Sequence, residues 1–159
     1  MKVLIVSDTH GRHGNLDEVL EREKPIDMLI HLGDVEHDDN YIEALAEYPV
    51  HIIAGNNDYF SYLPSDKVIQ VGKYRVWLTH GHTYCVSMDT KRLRRAAMSR
   101  GVDIVMFGHT HRPYLDVQED LTVLNPGSLS YPRQEGRCAT YMIMEITEGK
   151  TPIFTLKYV

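Results

Sequence analysis

Three short apolar runs open the chain. Lys2–Val6, Met28–Leu32 and Val50–Ala54 are rich in Val, Ile and Leu and show no alternation, as strands covered on both faces do. Helix-patterned stretches separate them. Asn15 with Glu18 predicts a capping arrangement, and Leu16, Val19 and Leu20 supply one apolar face, ending near Lys24-Pro25. A second helix is predicted from about Asn40 to Tyr48, with Ile42, Leu45 and Ala46 inward and Pro49 as its stop. Strand, helix, strand, helix, strand implies parallel pairing through right-handed crossovers.

The pattern changes in the second half. Lys67–Val71 and Arg75–Thr79 flank Gly72-Lys73, a hairpin signal. Thr90–Arg100 is a basic helix closed by Gly101. Asp103–Phe107 predicts another buried strand. Tyr114–Val117, Leu121–Leu124, Cys138–Ile146 and Ile153–Tyr158 then read as strands. No Gly- or Ser-rich linker and no internal repeat divides the chain, so residues 1–159 are expected to form one mixed α/β domain.

Composition narrows the class without naming a function. Of 159 residues, 43% are hydrophobic and 25% charged, the mix of a soluble globular protein. Seventeen basic against 22 acidic residues give a net charge of −5, which disfavours nucleic acid as a partner without excluding it. The two cysteines, Cys85 and Cys138, make no disulfide framework and no Cys-x-x-Cys pair. Apolar runs such as Val3–Val6 and Ile104–Phe107 fall far short of the roughly 20 residues of a membrane helix. The expectation is a cytoplasmic protein with no membrane partner. Edge strands and aromatic loops leave room for a homo-oligomer.

The chemistry falls where strands end. Asp8-Thr9-His10 follows the first strand, Gly33-Asp34 the second and Gly55-Asn56-Asn57-Asp58 the third. Thr79-His80-Gly81-His82 and Gly108-His109-Thr110-His111 follow the fifth and sixth. In open α/β sheets the ligand site lies at the carboxyl ends of strands. Carboxylate and amide oxygens mixed with imidazole nitrogens suit manganese, iron(II), nickel or zinc, and the lack of thiolate argues against a structural zinc cage. Two ions need a bridge, and the Asp34 carboxylate has two oxygens for it. Ions about 3.5–4 Å apart can hold both ends of an in-line phosphoryl displacement and acidify a water. Singly, Asp-x-His, Gly-Asp and Asn-Asn-Asp are ordinary turn sequences. Five such strand ends in one short chain are not an accident of composition.

At these residues the sequence resembles the calcineurin-like metallophosphoesterases, and more narrowly the small phosphodiesterases of the YfcE type. Asp8-x-His10, Gly33-Asp34, Gly55-Asn56-x-Asp58, His80-Gly81-His82, Gly108-His109-Thr110-His111 and the loop Asn125-Pro126-Gly127-Ser128 carry the resemblance, which covers nearly the whole chain. It implies a four-layer α-β-β-α sandwich with mixed sheets. It implies that Asp8, His10 and His111 hold one metal, that Asn56, His80 and His109 hold the other, and that Asp34 bridges. It further implies two divalent ions, manganese before nickel, iron or zinc, and a phosphodiesterase whose dinuclear-metal-bound hydroxide attacks a small-molecule phosphodiester.

Two positions depart from the family pattern. Many relatives have His after the ligand Asn, where this chain has Asn57, and an amide cannot donate a proton at neutral pH. Asn57 therefore tilts the reading toward diesters, with His82 and His10 as stand-in catalytic groups. Val35-Glu36-His37 replaces the usual spacing after Asp34, read as a change of supporting structure. Lys91, Arg92, Arg94, Arg95 and Arg100 are expected to be a solvated helix face, and Arg112 and Arg133 are candidates to reach a phosphate. Tyr59, Phe60, Tyr62 and Tyr84 are candidates to frame a pocket. The alternatives are a non-catalytic protein-binding scaffold like the small retromer subunit of this fold, or a nuclease or phosphoprotein phosphatase. The complete ligand set speaks against the scaffold, and the lack of extra domains and basic surface against the nuclease.

Overall fold

The computed structural model describes residues 1–59 and 61–159. In chain order its elements are β1 (Lys2–Val6), α1 (Gly14–Glu23), β2 (Met28–His31), α2 (Asp39–Leu45), β3 (Val50–Ile52), β4 (Asp66–Val71) and β5 (Tyr74–Thr79). They continue with α3 (Lys91–Arg100), β6 (Ile104–Met106), β7 (Pro113–Val117), β8 (Thr122–Pro126), β9 (Thr140–Glu145) and β10 (Ile153–Tyr158). Among the described residues no helix is long and apolar enough to cross a membrane.

The strands form two five-stranded mixed sheets, ordered β10-β9-β1-β2-β3 and β4-β5-β6-β8-β7. In the first, β1, β2 and β3 run parallel, with Val3 opposite Met28 and Leu29 opposite Val50. In the second, β5, β6 and β8 run parallel, and the hairpin partner β4 pairs antiparallel at one edge.

The two-residue period of a strand explains the layers. Val3 and Ile5 of β1 face between the sheets, against Val76 and Leu78 of β5 and Ile104 and Met106 of β6. Leu4 and Val6 face the other way and pack under Leu16 and Val19 of α1 and Ile42 of α2. On the far side Trp77, Val105 and Val123 pack under Leu93 and Ala97 of α3. The result is the expected α-β-β-α order. Both faces of the central strands are covered, which is why their sequences show no polar alternation. Leu16 and Val19 are fully buried, each stabilising the fold by about 1.5–3 kcal/mol.

Some local expectations are corrected. His13, not Asn15, precedes α1, and no side chain caps the helix. The Asn15 amide instead donates to the Leu129 carbonyl at 2.5 Å, a long-range bond that competes with capping. Helix α2 stops at Leu45, and β9 begins only at Thr140. Gly101 closes α3 as expected, at φ +61°, its N–H donating to Ala97 and Met98 carbonyls.

Candidate metal centre

The carboxyl ends of β1, β2, β3, β5 and β6 meet at one rim. Asp8, Asp34, His80 and His111 are buried there. Five of the seven expected donors sit in the left-handed backbone region: Asp8 (φ 55°), His10 (49°), Asp34 (55°), His109 (67°) and His111 (56°). Non-glycine residues adopt that region at a cost, and it persists where surrounding structure imposes it, commonly at functional sites. Packing leaves no slack. A Cβ on Gly55 would lie 2.1 Å from Asp34 Oδ1, and one on Gly108 would lie 2.1 Å from Ser7 Oγ.

The donor atoms fall into two adjoining groups around Asp34. Single donor atoms of Asp8, His10, Asp34 and His111 all lie within 4.8 Å of one another. His111 Nε2 is 3.1 Å from Asp8 Oδ1, and His10 Nε2 is 3.8 Å from Asp34 Oδ2. On the other side Asn56 Oδ1 lies 3.2 Å from His80 Nε2 and 2.8 Å from His109 Nδ1. His80 Nε2 is 3.5 Å from Asp34 Oδ2, so Asp34 touches both groups.

Three rings are aimed by bonds to their outer nitrogens. His80 Nδ1 bonds the Leu32 carbonyl at 2.7 Å, and His111 Nδ1 the Tyr131 carbonyl at 2.7 Å. His10 Nδ1 faces Glu36 Oε1 at 2.6 Å. Each bond fixes the tautomer that leaves Nε2 free as a donor to a metal. Asp58 accepts from the N–H groups of Val35, Glu36 and Gly55 at 2.9, 2.7 and 2.7 Å and ties the Asp34 loop to the Asn56 loop.

The residues fit divalent cations. Asp8 Oδ1 is buried and accepts no hydrogen bond among the described residues, a costly state unless a positive partner is present. Burial works to raise the Asp34 carboxyl, but the hydrogen bond and charge of His80, the Asn57 N–H and His10 hold it down at about 2. Burial works against a proton on His80, yet the Asp34 hydrogen bond and the charges of Asp8 and Asp34 raise its pKa above the usual imidazole value. His109 is lowered by burial and by His80. Two buried carboxylates facing imidazole nitrogens thus make a place that favours positive charge.

The remaining candidates divide. Asn57 turns inward, its Nδ2 on Asp34 Oδ2 at 2.9 Å. His82 sits with its ring centre 5.5 Å from His80 and 6.0 Å from His109, and its Nδ1 is buried without a partner among the described residues. Tyr59 and Tyr62 point into solvent, and Tyr84 packs edge-on against Trp77, so they frame no shared pocket. Phe60 lies outside the described residues. Buried His31, held at about 4 by desolvation, accepts from the Gly33 N–H at Nδ1 and donates from Nε2 to Thr9 Oγ1, as a satisfied core histidine does. On α3, Lys91, Arg94 and Arg100 are paired with Asp89, Asp116 and Asp66.

A family model for the calcineurin-like phosphoesterase superfamily domain matches residues 1–149. A probable metallophosphoesterase of Methanothermobacter thermautotrophicus is 33% identical over 138 residues, which are 84% of this chain and 80% of that one. A solved structure from Streptococcus pneumoniae, described as a predicted phosphoesterase, superposes with a TM-score of 0.82 at 27% identity, over 99% of this chain and 88% of that one. Wild-type Vps29 of Entamoeba histolytica, solved complexed with zinc, superposes with a TM-score of 0.77 at 23% identity over 99% of both chains. The shared domain and the converging donors lead to one assignment: the chain belongs to the calcineurin-like phosphoesterase superfamily.

Proposed function

We propose that the protein is a metal-dependent phosphodiesterase with a dinuclear centre. The observation that carries this reading is the arrangement of seven donors in two groups on either side of Asp34, with buried Asp8 Oδ1 accepting no hydrogen bond among the described residues. Asp8, His10 and His111 would hold one ion, Asn56, His80 and His109 the other, and Asp34 both. Two such ions, manganese first among the candidates, would supply Lewis acidity and a water acidified for attack on phosphorus.

The chain's own residues do the rest. Glu36 and the Leu32 and Tyr131 carbonyls keep the His10, His80 and His111 rings in place. Asn57 holds the bridging carboxylate by two bonds and has no proton to give a leaving group. Unassisted departure favours a diester, whose phosphoryl group carries less charge, with a stable leaving group. His82, which holds no metal in this scheme, is the imidazole left to orient phosphoryl oxygens, since Glu36 and an ion would take both nitrogens of His10.

The test is hydrolysis of bis-p-nitrophenyl phosphate and p-nitrophenyl phosphate by metal-stripped protein, with and without manganese, beside His109→Ala. Manganese-dependent cleavage favouring the diester, lost in the variant, supports the reading. The likeness to Vps29 makes a binding scaffold the second reading. No turnover with manganese, nickel, iron or zinc would turn the assignment to that scaffold.

A further inference from the structure

Arginines crowd one cleft beside the metal centre. The cleft, about 730 Å³, is lined by His10, His111, Arg112, Tyr131, Arg133 and Arg137. Arg12 adds a fourth guanidinium at its edge, stacked 4.5 Å from the centre of the Tyr131 ring. The one carboxylate in the lining, Glu36, is engaged by His10. A chain of net charge −5 thus concentrates positive charge at this cleft.

Elsewhere Arg22 pairs with Glu18, Arg94 with Asp116 and Arg100 with Asp66, whereas Arg75, Arg92 and Arg95 pair with no carboxylate among the described residues but do not line this cleft beside the metal-type donors. Among the described residues no carboxylate pairs with Arg12, Arg112, Arg133 or Arg137. The loop that carries Arg133 is braced. Ser128 Oγ donates to the Asp8 carbonyl at 2.8 Å and Ser130 Oγ to the Thr9 carbonyl at 2.6 Å. The Arg133 N–H donates to the His111 carbonyl at 3.0 Å, and Arg112 Nε to the Arg133 carbonyl at 3.1 Å. Those bonds leave the terminal nitrogens of Arg112 uncommitted. Like charges held together without counter-charge are relieved by an anion, and guanidinium forks match phosphate oxygens.

We propose that Arg112, Arg133 and Arg137 form a second anion subsite that takes a phosphate group of the substrate other than the one cleaved. The inference rests on the phosphodiesterase reading of the neighbouring centre and deepens it. The substrate class is a nucleotide-like phosphodiester that carries a further phosphate. Arg112 and Arg133 also border an adjoining cavity of about 640 Å³, where Val86, Phe107, Pro113 and Tyr114 offer apolar surface for the organic part and the one carboxylate, Asp89, is paired with Lys91.

A matched pair of substrates tests this: thymidine 5′-p-nitrophenyl phosphate with and without a 3′-phosphate. The wild-type protein should show a KM about tenfold lower for the 3′-phosphorylated ester. Arg112→Ala/Arg133→Ala, and separately Arg137→Gln, should erase that ratio, so a general loss of rate cancels. Arg95→Ala, an exposed charge on α3, should keep it. Equal KM values in the wild type would overturn the subsite. If neither ester is cleaved with any metal, the phosphodiesterase reading fails by itself. Calorimetry of thymidine 3′,5′-bisphosphate with chelator-treated protein then decides the subsite. Binding weakened about tenfold or more in the double variant supports it, and unchanged binding or none in the wild type overturns it.

Discussion

Asn57 grips the Asp34 carboxylate at both oxygens: its backbone N–H donates to Oδ1 at 2.8 Å and its side-chain amide to Oδ2 at 2.9 Å. The side chain after Asn56 therefore positions a metal-type donor as well as bordering the site. Asn57→His restores a group able to donate a proton. It should raise monoester hydrolysis relative to diester hydrolysis, read with p-nitrophenyl phosphate and its bis-ester. An unchanged ratio would remove the explanation for this departure from the family pattern.

Asp34→Asn should cost more than any substitution at one ligand group. Asp34 Oδ2 lies 3.8 Å from His10 Nε2 and 3.5 Å from His80 Nε2, within reach of both groups. An amide keeps the shape but loses the charge and one acceptor. Metal analysis after dialysis against manganese should show both equivalents depleted and turnover abolished. A variant with two tightly held ions and full rate would disprove the shared role.

Glu36 reaches the centre only through His10, with Oε1 2.6 Å from Nδ1. Groups that orient a ligand in this way typically carry about 10–100-fold in metal affinity. Glu36→Gln should weaken manganese binding in that range in a chelator competition, while far-ultraviolet circular dichroism stays native. Glu36→Asp should recover part of the loss if the carboxylate is what matters.

Much of this was legible in the sequence for a physical reason. A strand buried on both faces is an unbroken apolar run, so Lys2–Val6 and Met28–Leu32 announced themselves, and the polar residues just beyond them had to lie at the strand ends. The polar clusters at five strand ends could be named because each follows such a run, and the family resemblance singled out seven expected donors among them. The atoms that aim the rings could not. The Leu32 and Tyr131 carbonyls are backbone groups without any side-chain signature. Asn15 showed a capping pattern, yet its partner is a carbonyl 114 residues away. The arginine cleft joins loops that no local pattern connects.

Gly55 has no room for a side chain. A Cβ there would stand 2.1 Å from Asp34 Oδ1 and 2.4 Å from the Asp34 nitrogen. Because backbone must move to admit it, Gly55→Ala should destabilise the fold by roughly 1–3 kcal/mol. It should also displace Asp34 and impair metal uptake. Urea unfolding measures the first and manganese titration the second. Normal metal uptake in this variant would show that the Asp34 loop is looser than its packing implies.

Glu23 of α1 knits together four elements, α1, β1, β9 and β10. Its carboxylate accepts from Tyr141 Oη at 2.6 Å and from Lys157 Nζ at 2.9 and 3.0 Å, and it pairs with Lys2 Nζ at 2.8 Å. Burial works to raise this carboxyl, but Lys2, Tyr141 and Lys157 hold it down at about 2, against an ordinary value of 4.5. As pH falls, the unfolded chain takes up the proton first, so the stability from this site is whole above about pH 4.5 and is lost between there and pH 2. The shift corresponds to about 3 kcal/mol, reduced to about 2 by solvent around the two partly exposed lysines. Glu23→Gln should therefore lower the urea midpoint at pH 7, and its deficit should shrink steadily as pH falls from 5 to 3. A deficit that stays constant over that interval would mean that the loss is one of packing and hydrogen-bond shape, with the charge contributing nothing.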